Sequence, residues 1–284
     1  MFNLTVQSCV NLQSGAWTDP RIVSEEHLMN LISRIKSQIR QFSGTKEAWL
    51  DYCFFQKLML SHPSDKWTSH SFGPHYFRHF LPRRLKTTKI LEIGVGGYMD
   101  QTRGYSEPTA GGHSLRFWKA FFPNAQVFAI DIEDKSPLAE SRIRILQGSQ
   151  TDVTFLEKVV EESGGFDIII DDGSHVNSHV IETFKFLFPA LAEDGLYVVE
   201  DTQTSYWPEG YGGNIYDLNT DETMMGFFKS LVDGLNHVEF LRPGYEPTYF
   251  DKHILAMAFY HNLVFIEKGD NSEPSNMVVD HKLA

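Results

Sequence analysis

Cysteine is scarce in this chain, with only Cys9 and Cys53 among 284 residues. Two thiols cannot build a disulfide framework, and such sparing use suits a reducing compartment. Long apolar runs are also missing: none approaches the roughly 18 residues that a bilayer span requires. The opening segment MFNLTVQSCVNLQSG has neither a basic start nor an extended apolar stretch, so it does not read as a secretory signal. Positive charge is in deficit as well. Lys and Arg number 25 against 37 Asp and Glu, which leaves a formal net charge of -12. A surface this acidic repels phosphate backbones and argues against nucleic acid as a partner. The one basic cluster, Arg78, Arg83, Arg84, Lys86 and Lys89, reads as a solvated face beside the first core strand. The expectation is a soluble, cytoplasmic protein with no membrane or nucleic-acid partner.

Apolar residues are abundant at 42%, and charged residues make up 22%. That balance belongs to a folded chain with a large core of its own. Its texture changes near residue 88. Before that point the sequence is helical and irregular. The run SEEHLMNLISRIKSQIRQF (24–42) has a serine cap and apolar residues at helical spacing, and KEAWLDYCFFQKLML (46–60) carries a dense apolar face. Residues 1–87 are therefore expected to form a helical arm, serving as a lid or an oligomerisation region.

Residues 88–284 alternate strand, loop and helix. Strands are expected at 89–95, 126–131, 142–148, 166–172 and 195–201, with helices at 113–122, 153–162, 176–192 and 222–235. The strands are nearly continuous in Val, Ile and Leu, as when helices cover both faces of a sheet. Two further strands, 253–260 and 263–269, are separated only by His261-Asn262, a gap that forces a hairpin and hence an antiparallel pair. The fold class is α/β: a doubly wound, Rossmann-like sheet of about seven strands with one antiparallel strand at the end.

Ligands of such sheets bind outside the carboxyl ends of the strands. The first strand ends in Glu92-Ile-Gly94-Val-Gly96-Gly97, where glycines let the backbone turn and approach a ligand closely. A long loop (98–114) intervenes before the next helix, whereas a pyrophosphate wants the helix N-terminus right at the glycines. A cofactor without phosphates fits better. The second strand ends in Asp131, placed to accept hydrogen bonds from a ribose. The third leads into Gly148-Ser149-Gln150-Thr151-Asp152, polar groups able to meet an adenine edge.

Strands four and five run straight into acids. FDIIIDDGSH ends with Asp171, Asp172 and His175, and GLYVVED ends with Glu200 and Asp201. Like charges gathered this closely need a cation or a raised pKa to relieve them. A hard divalent ion such as Mg²⁺ suits oxygen donors with room for water, and the absence of a nearby cysteine argues against a zinc cage.

The segments EIGVGG…GGHSLRFWKAFFP, VFAIDI, IIIDDGSH and LYVVEDTQTSYWP resemble class I S-adenosylmethionine-dependent methyltransferases. Among these they are most similar to the Mg²⁺-dependent sugar O-methyltransferases of macrolide and rhamnosyl antibiotic pathways. The resemblance spans about residues 48–270. It implies that Glu92, Gly94, Gly96 and the Ser114 region hold the methionyl end of S-adenosylmethionine, that Asp131 binds its ribose, that Gln150 and Asp152 lie near adenine, and that Asp171 faces the cofactor. It further implies Asp172, Glu200 and Asp201 as Mg²⁺ ligands and His175 as general base. The acceptor would be a small-molecule glycoside or another hydroxyl-bearing compound, and the assembly a homo-oligomer. The loop 202–213 offers the flat faces of Tyr206, Trp207 and Tyr211 to a sugar or macrocycle, unless those rings pack the loop onto the domain. Relatives often carry a longer N-terminal auxiliary domain than the arm seen here. Three other readings stay open: a catechol or phenolic O-methyltransferase on the same fold, a non-catalytic partner protein that binds the cofactor or the metal, and, through a partial resemblance to cephalosporin hydroxylase-like proteins, a hydroxylase, although no 2-His-1-carboxylate spacing is evident.

Overall fold

The structure is a computed structural model and describes residues 46–97, 111–279 and 281–283. The expected helix at 24–42 lies outside the described residues. The chain falls into two compact units, Met1–Leu81 and Pro82–Ala284. In the first, helix α1 (Lys46–Ser61) and helix α2 (Gly73–Phe80) are joined by aromatic contacts. Phe77 meets Tyr52 and Phe55 edge-on, with ring centroids 5.1 and 5.3 Å apart.

The second unit is built on seven strands: β1 (Lys89–Ile93), β2 (Gln126–Asp131), β3 (Ile143–Gln147), β4 (Phe166–Asp171), β5 (Leu191–Glu200), β6 (Ile254–Tyr260) and β7 (Leu263–Lys268). Their order across the sheet is β3-β2-β1-β4-β5-β7-β6. β7, the last of the seven in sequence, is the reversed strand and pairs antiparallel with both β5 and β6. The expected hairpin forms at His261-Asn262, where Asn262 has φ 60°. Chain order reverses between β1 and β4, which pair in parallel, and in open α/β sheets that is where a crevice forms.

Helix α3 (His113–Phe121) packs on one side of the sheet, where its Trp118 indole N–H donates to the buried Glu92 carboxylate of β1 at 2.7 Å. The opposite side carries the large core. Leu91, Ile93, Phe128, Ile169, Tyr197 and Val199 from alternate strand positions meet Val180, Phe184 and Phe228 from helices α5 (Asn177–Leu187) and α6 (Met224–Val232). Helix α4 (Val153–Ser163) covers the same side, capped at its start by Asp152 and closed by Gly164 in the left-handed region.

Most elements differ from their expected bounds by a residue or more, and three of the differences have a local cause. Helix α5 stops at Leu187: Phe188 keeps helical backbone as its cap, and Pro189 has no N–H to continue the ladder. β5 starts at Leu191 rather than 195, because it advances from Leu191 to Leu196 while β4 advances from Phe166 to Ile168, an irregularity that periodicity does not reveal. Helix α6 begins after Thr223, whose hydroxyl accepts the Gly226 N–H at 3.2 Å. Among the described residues no helix is long and apolar enough to cross a membrane.

Candidate functional site

The crevice begins where β1 and β4 end together. Asp172 N–H donates to Ile93 C=O at 3.0 Å, which brings the glycine turn against the acid turn. Gly94 has φ +87°, and a Cβ there would sit 2.1 Å from the Asp172 carbonyl oxygen, so no side chain fits between the turns. Gly96 is also left-handed at φ +70°, and among the described residues nothing lies within 4 Å of a notional Cβ there. Ser114 is buried in the first turn of α3.

Asp131, at the end of β2, ties this turn in place. Its Oδ2 accepts the Val95 N–H at 2.9 Å and its Oδ1 accepts the Glu133 N–H at 2.8 Å. Nearby, the buried Lys135 ammonium donates to Gly97 C=O at 2.5 Å, a contact that sequence reasoning missed because a lone loop lysine carries no pattern. Past β3, Gln150 is buried and turned inward. Its amide nitrogen donates to Thr183 Oγ1 at 3.1 Å and Asp171 Oδ1 at 3.3 Å, while its oxygen accepts the Ser174 N–H at 2.7 Å. Asp152 is exposed and accepts the Phe155 N–H at 3.1 Å as the cap of α4.

Asp171 is buried at the end of β4. Burial pushes its pKa up to about 7, the Asp172 carboxylate pushes the same way, and hydrogen bonds from Gly173 N–H, Gln150 and Tyr197 oppose the rise. The Tyr197 hydroxyl lies 3.4 Å from Asp171 Oδ2, and burial beside that carboxylate holds the phenol well above its usual range.

Three of the expected acid and base groups converge. Ligand atoms of Asp172, His175 and Asp201 all lie within 4.8 Å of one another. His175 Nε2 is 3.9 Å from Asp172 Oδ1 and 3.7 Å from Asp201 Oδ2, too long for hydrogen bonds but close enough for ion pairing. The side chains of His175, Asp172 and Asp201 keep 25%, 18% and 15% of their surface exposed, so a solute can reach them. Glu200 is buried at the last paired position of β5, opposite Leu263, and is not in this group. His175 and Asp201 both adopt left-handed backbone, at φ 56° and 52°. Such conformations are uncommon for residues bearing a Cβ and collect at functional sites.

The loop after Asp201 is anchored by polar groups that sequence reasoning also missed. Buried Asn177, the first residue of α5, donates through Nδ2 to the carbonyls of Tyr211 at 2.8 Å and Thr204 at 3.1 Å. Its Oδ1 accepts the Met224 N–H at 2.7 Å, and Ser205 Oγ accepts that of Met225 at 3.1 Å. Tyr206 and Trp207 remain exposed, and Trp207 meets Tyr211 edge-on at 5.8 Å. These rings rim the loop rather than fill a core.

Two carboxylates and an imidazole at the switch point can hold a hard cation and move a proton beside it. No protein-family model matches the chain. It is similar to the mycinamicin VI 2''-O-methyltransferase of Micromonospora griseorubida, with 44% identity over 261 residues, 89% of this chain and 63% of that one. It is also similar to the demethylmacrocin O-methyltransferase of Streptomyces fradiae, with 48% identity over 210 residues, 73% of this chain and 51% of that one. Among solved structures, the MycE methyltransferase of the mycinamycin pathway in complex with Mg, SAH and mycinamycin VI matches with TM-score 0.68 and 43% identity, covering 78% of this chain and 56% of that one. The chain thus spans between about half and just under two thirds of the curated relatives it matches. The motif resemblance to sugar O-methyltransferases extends across most of the chain.

Proposed function

We propose that this chain, like the sugar O-methyltransferases it resembles, transfers the methyl group of S-adenosylmethionine to a sugar hydroxyl of a glycosylated secondary metabolite, with Mg²⁺ as its metal. The convergence of Asp172, His175 and Asp201 beside the glycine turn carries this reading. Their donor set fits the ion: carboxylate oxygens suit a hard divalent cation, and the partial exposure leaves positions for water or an acceptor. Asp172, Glu200 and Asp201 would hold it. When bound, Mg²⁺ supplies Lewis acidity that makes a weakly acidic hydroxyl easier to deprotonate.

The chain's own residues do the rest. Glu92, Gly94, Gly96 and Ser114 hold the methionyl end of the cofactor, Asp131 its ribose, and Gln150 and Asp152 border its adenine, with Asp171 facing it. His175 takes the hydroxyl proton at Nε2. The acceptor oxygen then bonds to the methyl carbon as the carbon–sulfur bond breaks, releasing S-adenosylhomocysteine. Much of the rate comes from alignment of the two reactants. Tyr206, Trp207 and Tyr211 present flat faces to the glycoside. The protein would work in the cytoplasm as a homo-oligomer. The arm would comprise residues 1–87 and the catalytic domain 88–284, a division six residues (87 minus 81) beyond the boundary at Leu81.

Calorimetric titration of S-adenosylhomocysteine, with Mg²⁺ and then with EDTA, tests the cofactor reading. Binding in both is expected. A panel of glycosides and catechols then separates sugar from phenolic acceptors, and turnover should vanish in EDTA and return with Mg²⁺. Folded protein that binds no S-adenosylhomocysteine under either condition would overturn the proposal.

A further inference from the structure

The left-handed backbones of His175 and Asp201 share one partner. Thr204 is 2% exposed, and its Oγ1 donates to the His175 carbonyl at 2.8 Å. The same hydroxyl lies 3.3 Å from the Asp201 carbonyl, which also receives the Thr204 N–H at 3.4 Å. A hydroxyl has one proton, so the shorter contact is its main bond and the Asp201 contact a weaker branch. Conformations at φ 56° and 52° persist in residues with a Cβ only where the surroundings over-determine them. Here one buried hydroxyl reaches both strained peptides, and those peptides carry two of the three converging side chains.

We propose that Thr204 is a positioning residue whose hydroxyl, bridging the His175 and Asp201 carbonyls, keeps the imidazole and the carboxylate in register with Asp172 for a divalent cation. This rests on the metal reading given above. It adds a link that the ligand set alone does not contain. The Thr204 carbonyl accepts Asn177 Nδ2 at 3.1 Å, so Thr204 joins the segment bearing Trp207 and Tyr211 to the metal cluster through its main chain. An acceptor that shifts those rings would pull on the cation site.

Thr204→Val tests the role, because valine keeps the β-branch and replaces the hydroxyl with a methyl that cannot donate. Thr204→Ser restores the hydroxyl without the methyl, and Thr204→Ala removes the hydroxyl without requiring the valine methyl to fit. Mn²⁺ affinity is measured by calorimetry on each, with near-ultraviolet circular dichroism reporting whether tertiary packing is intact. The valine and alanine variants should bind Mn²⁺ about tenfold or more weakly, as expected when a group supporting the ligands is lost. The serine variant should stay close to wild type. Valine or alanine variants with native packing and wild-type affinity would overturn the proposal and leave the metal reading standing. So would a serine variant as weak as the valine one. Wild-type protein that takes up no Mn²⁺ would instead remove the metal reading, and this proposal with it.

Discussion

His175 and Asp201 show how much one residue's backbone decides. Each adopts a left-handed φ, and the two side chains converge with that of Asp172, as the proposed proton transfer requires. His175→Ala should therefore abolish turnover and leave S-adenosylhomocysteine affinity unchanged, since the cofactor contacts proposed here lie on other residues. Retained methyl transfer would remove the histidine from its role. Asp201→Asn should act differently, lowering divalent-metal affinity by roughly 10-fold or more, because an anionic oxygen donor is lost. Asp172 and Asp201 were legible because each follows directly on an apolar strand, with His175 three residues beyond Asp172. Tyr197, Asn177 and Thr204 were not. Tyr197 sits in a strand that periodicity marks as core, and its hydroxyl finds Asp171 only once β4 and β5 pair. Asn177 and Thr204 are small polar residues in polar stretches, and closure of the fold chooses their partners.

Two elements meet at Asn177, and the aromatic loop depends on it. Asn177→Ala would strip donors from two carbonyls and an acceptor from the start of α6, and each buried polar group left unsatisfied costs about 1–3 kcal/mol. The loop at 202–213 should then become open to proteolysis, and the acceptor KM should rise more than kcat falls. Resistance equal to wild type would show that the loop is held elsewhere. Helix α2 gives a second expectation. Burial lowers the His75 pKa to about 4, with Arg78 and His79 adding in the same direction. Its folded value lies below the ordinary 6.5, so the unfolded chain binds the proton more readily. The associated stability is complete above pH 6.5 and drains away as pH falls toward 4. His75→Gln should flatten that acid slope, as read from urea midpoints across the same range. At this scale every strand in the described core was legible, and the starts and stops were less so. Pro189 and Thr223 set helix ends by local chemistry, whereas the early start of β5 depends on an irregular register with β4.

Across the whole molecule, ligand binding and folding are linked. A cofactor product present at about 100 times its Kd adds about 2.7 kcal/mol to the folded state. For a chain of this size that raises Tm by roughly 5–10 °C. S-adenosylhomocysteine should produce such a shift in a thermal melt, and a flat response at saturating concentration would count against the cofactor site. The sheet order also imposes a timetable. β5, which carries Glu200 and leads into Asp201, gains its outer neighbour only when β7 arrives, and β7 is the last of the seven strands to be synthesised. During translation, the partners that close the glycine turn and the DDGSH turn emerge well before Lys268, so that side of the crevice can assemble while β5 still shows a bare edge. A nascent chain stalled before Leu263 would present an apolar edge of the kind that recruits other copies. The strand that feeds the acid cluster is thus the one whose protection a ribosome finishes last, and quality control would have most reason to watch it.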